Sequence, residues 1–364
     1  MPPHSLYTLT RFFTQTFWLP PAPTTHPNSE VPAYIPADLS SKTYLITGGY
    51  AGLGLAVVYQ LYSHHATVWI AGRSASKAAD AIEKLQREHP DSKGRLWFLE
   101  VDFSDLASIK PAVTEFKRRN ATLSGQGSGE GGDLHWLNLN HGIMTPEQSA
   151  KGAQGHDMTL ATNIYGPFLF AKLLRPVLRE TARRSKPGEV RVSWAGSVAT
   201  YLSAPVGGVG WVNVESDGKD RRRDLVGHDH VGVAYMTSKA ANYYLACEFG
   251  RRFGVEDGVL HNSYNPGNLR TSLQRNTASH NGQLGYWLIW NIICRHGPLH
   301  GAYTELYAGF SPELELANDQ GAWIVPWGQK DVMRPDIAGE VEKGEDGVGG
   351  KLWDWCEDIT RDFQ

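Results

Sequence analysis

Residues 42–61 constrain the fold more than any other stretch. Tyr44-Leu45-Ile46 is a short apolar run suited to a buried strand. Thr47-Gly48-Gly49-Tyr50-Ala51-Gly52-Leu53-Gly54 follows as a glycine-rich turn, and residues 55–61 read as an apolar helix. Strand, glycine turn and helix in that order build a phosphate site. Glycine lets the backbone approach an anion, and the helix start offers unpaired N–H groups at the positive end of its dipole. The order gives the turn its weight, because glycines alone would equally make a tight structural turn.

The pattern then repeats in kind. Apolar runs predict strands at 66–71, 96–101, 134–139 and 190–195, and helical spacing appears at 76–88, 106–116, 155–179 and 233–252. This alternation calls for an α/β chain, a doubly wound Rossmann sheet of parallel strands with helices on both faces. No internal repeat interrupts it.

The second strand ends at Gly72-Arg73-Ser74, where a dinucleotide would place its adenosine ribose. An acidic residue here would bind the ribose hydroxyls of NAD. The chain has Arg73 instead, which favours a 2′-phosphate by roughly ten- to a hundredfold, the worth of one charge-assisted hydrogen bond. NADP is the expected cofactor, although a surface arginine closing a strand would look the same. Asp102-Phe103 ends the third strand, where a carboxylate can accept from an adenine amino group.

Composition excludes other classes. Lys+Arg is 35 and Asp+Glu is 38, so the basic excess of a nucleic-acid binder is missing. The three cysteines are far apart and odd in number, which fits a reducing, cytoplasmic compartment and no metal pair. Residues 6–19 are apolar and aromatic but too short and polar to span a bilayer. They read as an amphipathic helix lying on the protein, with contact to a membrane surface left open. Residues 20–36, rich in Pro and Thr, read as an extended linker.

Residues 233–252 carry Tyr235-Met236-Thr237-Ser238-Lys239. Tyr235 and Lys239 are one helical turn apart and project from one face. An ammonium beside a phenol favours the phenolate, which makes Tyr235 a usable proton donor and acceptor near neutral pH. Asn163 stands inside a helical stretch, where asparagine needs a reason.

Taken in order, these residues resemble the short-chain dehydrogenase/reductase superfamily, across roughly 42–271. Thr47-Gly48 to Gly52-Leu53-Gly54 resembles its cofactor turn. Asn140-His141-Gly142 resembles its Asn-Ala-Gly signature, with His141 in place of alanine. Asn163, Ser197, Tyr235 and Lys239 match its catalytic tetrad, and Asn265-Pro266-Gly267-Asn268-Leu269-Arg270-Thr271 resembles the segment that meets the nicotinamide end. Within the superfamily, retinol-dehydrogenase-like and fungal secondary-metabolism oxidoreductases are most similar.

The resemblance implies hydride transfer between a nicotinamide and a carbonyl or secondary-alcohol carbon. Tyr235 would exchange the proton with the substrate oxygen. Lys239 would lower the Tyr235 pKa and hold the nicotinamide ribose, Ser197 would hydrogen-bond the substrate oxygen, and Asn163 would hold a water that relays protons to Lys239. Cofactor contacts would come from Thr47, Gly48, Tyr50, Gly52, Leu53, Gly54, Arg73, Asp102, Phe103, Asn140, His141, Gly142, Pro266, Gly267, Asn268, Leu269 and Thr271, with Tyr235 and Lys239.

The expected layout is an extension and linker over 1–41, a dinucleotide-binding and catalytic core over 42–272, and a substrate loop, cap helices and tail over 273–364. The link between Ser197 and Tyr235 is longer than in most relatives and reads as a polar surface insertion. His228 and His230 within it read as solvated rather than as metal ligands. His141 either fills space or touches the nicotinamide side. Residues 271–281 are expected to form a mobile substrate loop. The aromatic run 284–293 is expected to form a helix that roofs the pocket or one that meets a partner subunit or a lipid surface, and a lipophilic substrate of polyketide-, steroid- or retinoid-like character is expected with it. Residues 331–350 read as a loop and 352–363 as a last amphipathic helix. The chain is expected to be a monomer or homodimer. Two other readings remain: a reduction coupled to cyclisation in a biosynthetic pathway, and a binding protein that senses NADP without turnover.

Overall fold

In the computed structural model, the structure describes residues 6–17, 32, 34–123, 131–144, 147, 150–215, 221–225, 231–271, 273, 287 and 289–364. The chain begins with α1 (Leu6–Phe17), and the sheet begins with β1 (Thr43–Thr47). Then come α2 (Gly52–Ser63), β2 (Thr67–Gly72), α3 (Ala75–Glu88), β3 (Arg95–Glu100), α4 (Ile109–Leu123) and β4 (Trp136–Leu139). The strands alternate as buried parallel strands must. Leu45, Trp69 and Ala71 face one core, whereas Tyr44, Ile46, Val68 and Ile70 face the other.

A short α5 (Met158–Leu160) passes through a π turn (Ala161–Tyr165) into α6 (Gly166–Ala182). The helix expected from 155 therefore starts three residues later. Asp157 caps it, its carboxylate accepting from the Thr159 and Leu160 N–H groups, and a cap of that kind fixes where a helix begins. β5 (Val190–Ala195) lies where the apolar run predicts.

The described part of the insertion is built from regular elements. It holds α7 (Ala199–Ser203) and an antiparallel pair of β6 (Trp211–Glu215) and β7 (Arg221–Leu225). Tyr201, Val209 and Leu225 are buried in the main core, so the reading of a purely surface loop is corrected. His228 and His230 lie outside the described residues.

The chain continues through α8 (Val231–Phe249), α9 (Val255–Asp257), β8 (Val259–Tyr264), α10 (Pro298–Phe310), β9 (Ala322–Val325) and β10 (Gln329–Asp331). It closes with α11 (Pro335–Glu342) and α12 (Val348–Thr360). The loop expected over 331–350 is thus corrected to a strand end and two helix segments. Pro335 pre-sets the first turn of α11, and Ile337 gives it a buried contact. The run at 271–281 lies outside the described residues except for Thr271 and Leu273; of 284–293, Trp287 and 289–293 are described, the last five as a π turn (Ile289–Ile293), with Trp287 and Ile292 exposed.

One sheet takes the order β10-β9-β8-β5-β4-β1-β2-β3, parallel except for β10. Helices α2, α3 and α10 cover one face. Helices α4, α6 and α8, backed by α12, cover the other. The strand order reverses between β1 and β4, and an open sheet of this kind takes its ligand in the crevice beyond the carboxyl ends of the strands at that point.

Candidate active site

The glycine turn lies at that crevice. Gly48 and Gly52 take φ of +68° and +54°, a region that favours glycine. A Cβ on Gly54 would stand 2.6 Å from Asn140 Nδ2 and 2.7 Å from the Gly48 carbonyl oxygen. Ala51 at the α2 N-cap supplies no side-chain cap, which leaves the first N–H groups of the helix for an anion. These features fit a dinucleotide pyrophosphate. Asn140 donates to the Thr47 carbonyl (2.9 Å) and ties the turn to the end of β4. The Tyr50 ring lies over Gly72, and Arg73 is exposed beside it at the end of β2. Asp102 accepts from the Ser104 backbone N–H (2.9 Å) and hydroxyl (2.7 Å), which fixes the chain after β3.

The structure decides the place of His141. Its ring stacks on Phe103, centroids 3.7 Å apart. Nε2 meets the Thr162 carbonyl at 3.0 Å, and Nδ1 meets the Thr47 hydroxyl at 2.8 Å. A carbonyl only accepts, so the neutral ring carries its proton on Nε2, while Nδ1 and the Asn138 carbonyl (3.1 Å) share the single proton of the Thr47 hydroxyl. Burial drives the ring pKa down to about 3, and the neighbouring Lys239 ammonium pushes it the same way. His141 is a neutral wedge between the glycine turn and the start of α6.

The tetrad converges at the same end of the sheet. Asn163 sits in the π turn, which shifts the helix register locally and aims its amide at the loop after β4. It accepts from the Ile143 N–H (2.9 Å) and donates to the Ile143 carbonyl and the Ser238 hydroxyl (3.0 Å each). A Cβ on Gly142 would lie 3.3 Å from both Asn163 Oδ1 and Lys239 Nζ. A side chain there would press both groups aside by a few tenths of an ångström. Lys239 Nζ donates to the Ala195 carbonyl (3.0 Å), which also accepts from Asn242 (2.8 Å), and lies 5.6 Å from the Tyr235 ring centroid. Tyr235 shares a hydrogen bond with Ser197.

The electrostatics correct one expectation. Burial raises the Tyr235 pKa to about 12, with the Ser197 bond pulling it down. Burial lowers the Lys239 pKa to about 8, with Glu305 pulling it up. The phenolate expected from an ammonium one turn away is therefore not favoured in this state. Desolvation exceeds the local attraction, because both side chains are almost fully buried.

The segment after β8 closes the far side of the crevice. Asn265 Oδ1 accepts from the Gly267 N–H (3.1 Å), and Gly267 takes φ of +90° under the Trp327 ring. Leu53 and Leu269 meet over Gly301, and Thr271 reaches Gly52. Pro266 lies between Asn265 and Gly267 in the same turn.

Sequence reasoning missed a polar cluster on the opposite sheet face. Glu305 of α10 is fully buried and accepts from Asn138 Nδ2, while Tyr264 donates to Asn138 Oδ1 (2.8 Å). Burial raises the Glu305 pKa to about 8, against the pull of Asn138, Tyr264 and Lys239. The signal was an acidic residue within the apolar, small-residue run Gly301-Ala302-Tyr303-Thr304-Glu305-Leu306. Among the described residues no group of three His, Cys, Asp or Glu is placed to hold a metal. No described helix is long and apolar enough to cross a membrane.

Comparison with known proteins agrees with this geometry. The family described as short chain dehydrogenase matches residues 42–197. A short-chain dehydrogenase/reductase of Phomopsis amygdali is 36% identical over 336 residues, 90% of this chain and 91% of the relative. The short-chain dehydrogenase/reductase bet4 of Neocamarosporium betae is 34% identical over 364 residues, 98% of this chain and 94% of the relative. Among solved structures, levodione reductase superposes with a TM-score of 0.56 at 18% identity, covering 79% of this chain and 96% of that one. The Pseudomonas aeruginosa RhlG/NADP active-site complex gives 0.54 at 20% identity, covering 79% and 95%; both likenesses speak to the fold. The likeness to these two relatives over at least nine tenths of each chain makes this chain a member of the short-chain dehydrogenase/reductase family, an oxidoreductase acting on alcohol and ketone groups.

Proposed function

We propose that the protein is an NADP-dependent reductase of a ketone on a lipophilic small molecule, polyketide-, steroid- or retinoid-like. The observation that carries this reading is convergence. Asn163, Ser197, Tyr235 and Lys239 meet at the end of the sheet that bears the glycine turn, while exposed Arg73 ends β2 where the ribose would lie. The RhlG structure was solved with NADP, which supports the cofactor choice by likeness.

The nicotinamide supplies the hydride when bound. The residues supply the rest. Ser197 holds the substrate oxygen against the Tyr235 hydroxyl. Tyr235 gives that oxygen its proton as negative charge develops on it. Lys239 keeps an ammonium beside the phenol, so that the resulting phenolate is stabilised. The Ala195 carbonyl holds the Lys239 ammonium, Asn242 steadies that carbonyl and Asn163 fixes the neighbouring loop, so this charge is in place before reaction.

NADPH oxidation over a panel of bulky ketones, set against NADH, tests the reading. Tyr235→Phe is expected to cut turnover by about 10²–10⁴-fold while leaving NADPH affinity unchanged. Unchanged turnover would remove Tyr235 as the proton donor. A preference for NADH would remove the cofactor assignment.

A further inference from the structure

Helix α1 is inverted with respect to a surface amphipathic helix. Its buried residues are Thr8, Gln15 and Thr16, whereas Leu6 is 82% and Phe13 46% exposed. Thr8, Phe12, Gln15 and Thr16 share one face by helical spacing, and that face is mostly polar where it meets the protein. A helix that buries amides and hydroxyls does so because they have partners.

The partners form a chain whose polarity is fixed from one end. Asp331 is a carboxylate and only accepts, so Gln15 presents Nε2 to it (3.2 Å). That leaves Gln15 Oε1 to accept from Asn265 Nδ2 (3.0 Å). Asn265 Oδ1 is then free to accept from the Gly267 N–H (3.1 Å). Arg11 holds the other end of the chain through Asp331 (3.0 Å). Thr16 accepts independently from Asn268 Nδ2 (3.0 Å). Two residues of α1 thus grip both ends of the Asn265–Asn268 turn.

We infer that α1 positions the turn that faces the nicotinamide, with Gln15 as the positioning residue acting through Asn265. This rests on the proposed cofactor reading, since that reading gives the turn its ligand. Gln15 touches neither cofactor nor substrate; it sets where the Gly267 N–H stands. A loosened turn would weaken grip on the ring while leaving the adenosine half untouched, since that half lies at the opposite end of the crevice by Arg73.

The test compares two ligands on the full chain. NADPH carries the nicotinamide, and 2′,5′-ADP carries only the phosphorylated adenosine half. Gln15→Met keeps the volume and removes the amide. It is expected to raise the NADPH Kd about three- to tenfold, the worth of one or two hydrogen bonds, with the 2′,5′-ADP Kd unchanged. Thr16→Val is expected to act in the same direction and less strongly.

Gln15→Glu sets two carboxylates face to face and is expected to weaken NADPH further. Adding Asp331→Asn restores a donor opposite the acceptor and is expected to recover most of the loss. Equal weakening of both ligands, no change in either, or no recovery in the double variant would overturn the inference. Wild-type protein that binds neither ligand would overturn the cofactor reading itself, and this inference with it.

Discussion

The two halves of the crevice are built by different means. On the adenosine side, β1, β2 and β3 pair in parallel over five and six residues, and glycines shape the turn between β1 and α2. The parts that hold this half together are backbone and close packing, drawn from residues 43–100. On the nicotinamide side, side-chain hydrogen bonds join residues hundreds of positions apart, as from Gln15 to Asn265 and Asp331. The contrast teaches that one half is specified by local pattern and the other by individual polar pairs. Substitutions should therefore fail differently in each.

The largest effect is expected where backbone passes backbone. Gly54→Val would push a side chain onto Asn140 and the Gly48 carbonyl. NADPH affinity is expected to fall by about a hundredfold or more, read by fluorescence titration, for overpacking of about 3 kcal/mol. Retained affinity would show that the adenosine half adapts as readily as the other. Arg73→Ala is expected to cut the NADPH-over-NADH preference in kcat/KM by about tenfold. Its side chain is exposed, so the fold is not at stake and the change should fall on the 2′-phosphate alone.

The smallest expected effect is on stability and comes from the polar half. The Glu305 carboxyl is raised from 4.5 to about 8 in the folded protein. The folded state therefore binds this proton more tightly than the unfolded chain does. The benefit is complete below about pH 4.5 and disappears as pH rises through 8. Glu305→Gln keeps an acceptor for Asn138 and removes the charge. The variant is expected to gain thermal stability relative to wild type between pH 5 and pH 9. A gap that stays constant across that range would show that Glu305 is ionised throughout. His135, His141 and His261 act in the opposite direction. Burial holds them at about 4, 3 and 3, so their contribution is present above pH 6.5 and is lost on acidification.

The same contrast explains what could be read from the residues alone. The strands at 66–71, 96–101 and 190–195 were legible because buried parallel strands are continuous apolar runs, and the observed limits differ by a residue at most. Tyr235 and Lys239 were legible because four-residue spacing is local. Gln15, Asn138 and Glu305 were not, since their meaning lies in partners far along the chain. The segment 331–350 misled for a related reason. Its glycines and acids look like a loop, but Ile337 is buried beside Gly208 and Ala240 of α8, neighbours that no local window contains. The Tyr235 titration failed because spacing reports direction and not solvent, and burial was the larger influence.

The π turn at Ala161–Tyr165 carries a consequence for comparing this chain with its kin. A π turn takes up one residue more than an α-helical turn, and the helix runs on beyond it. Asn163 stands within that widened turn and reaches Ile143 and Ser238. A one-residue gap in an alignment across these five positions is therefore absorbed in the turn itself, and the buried face of α6 beyond it keeps its phase.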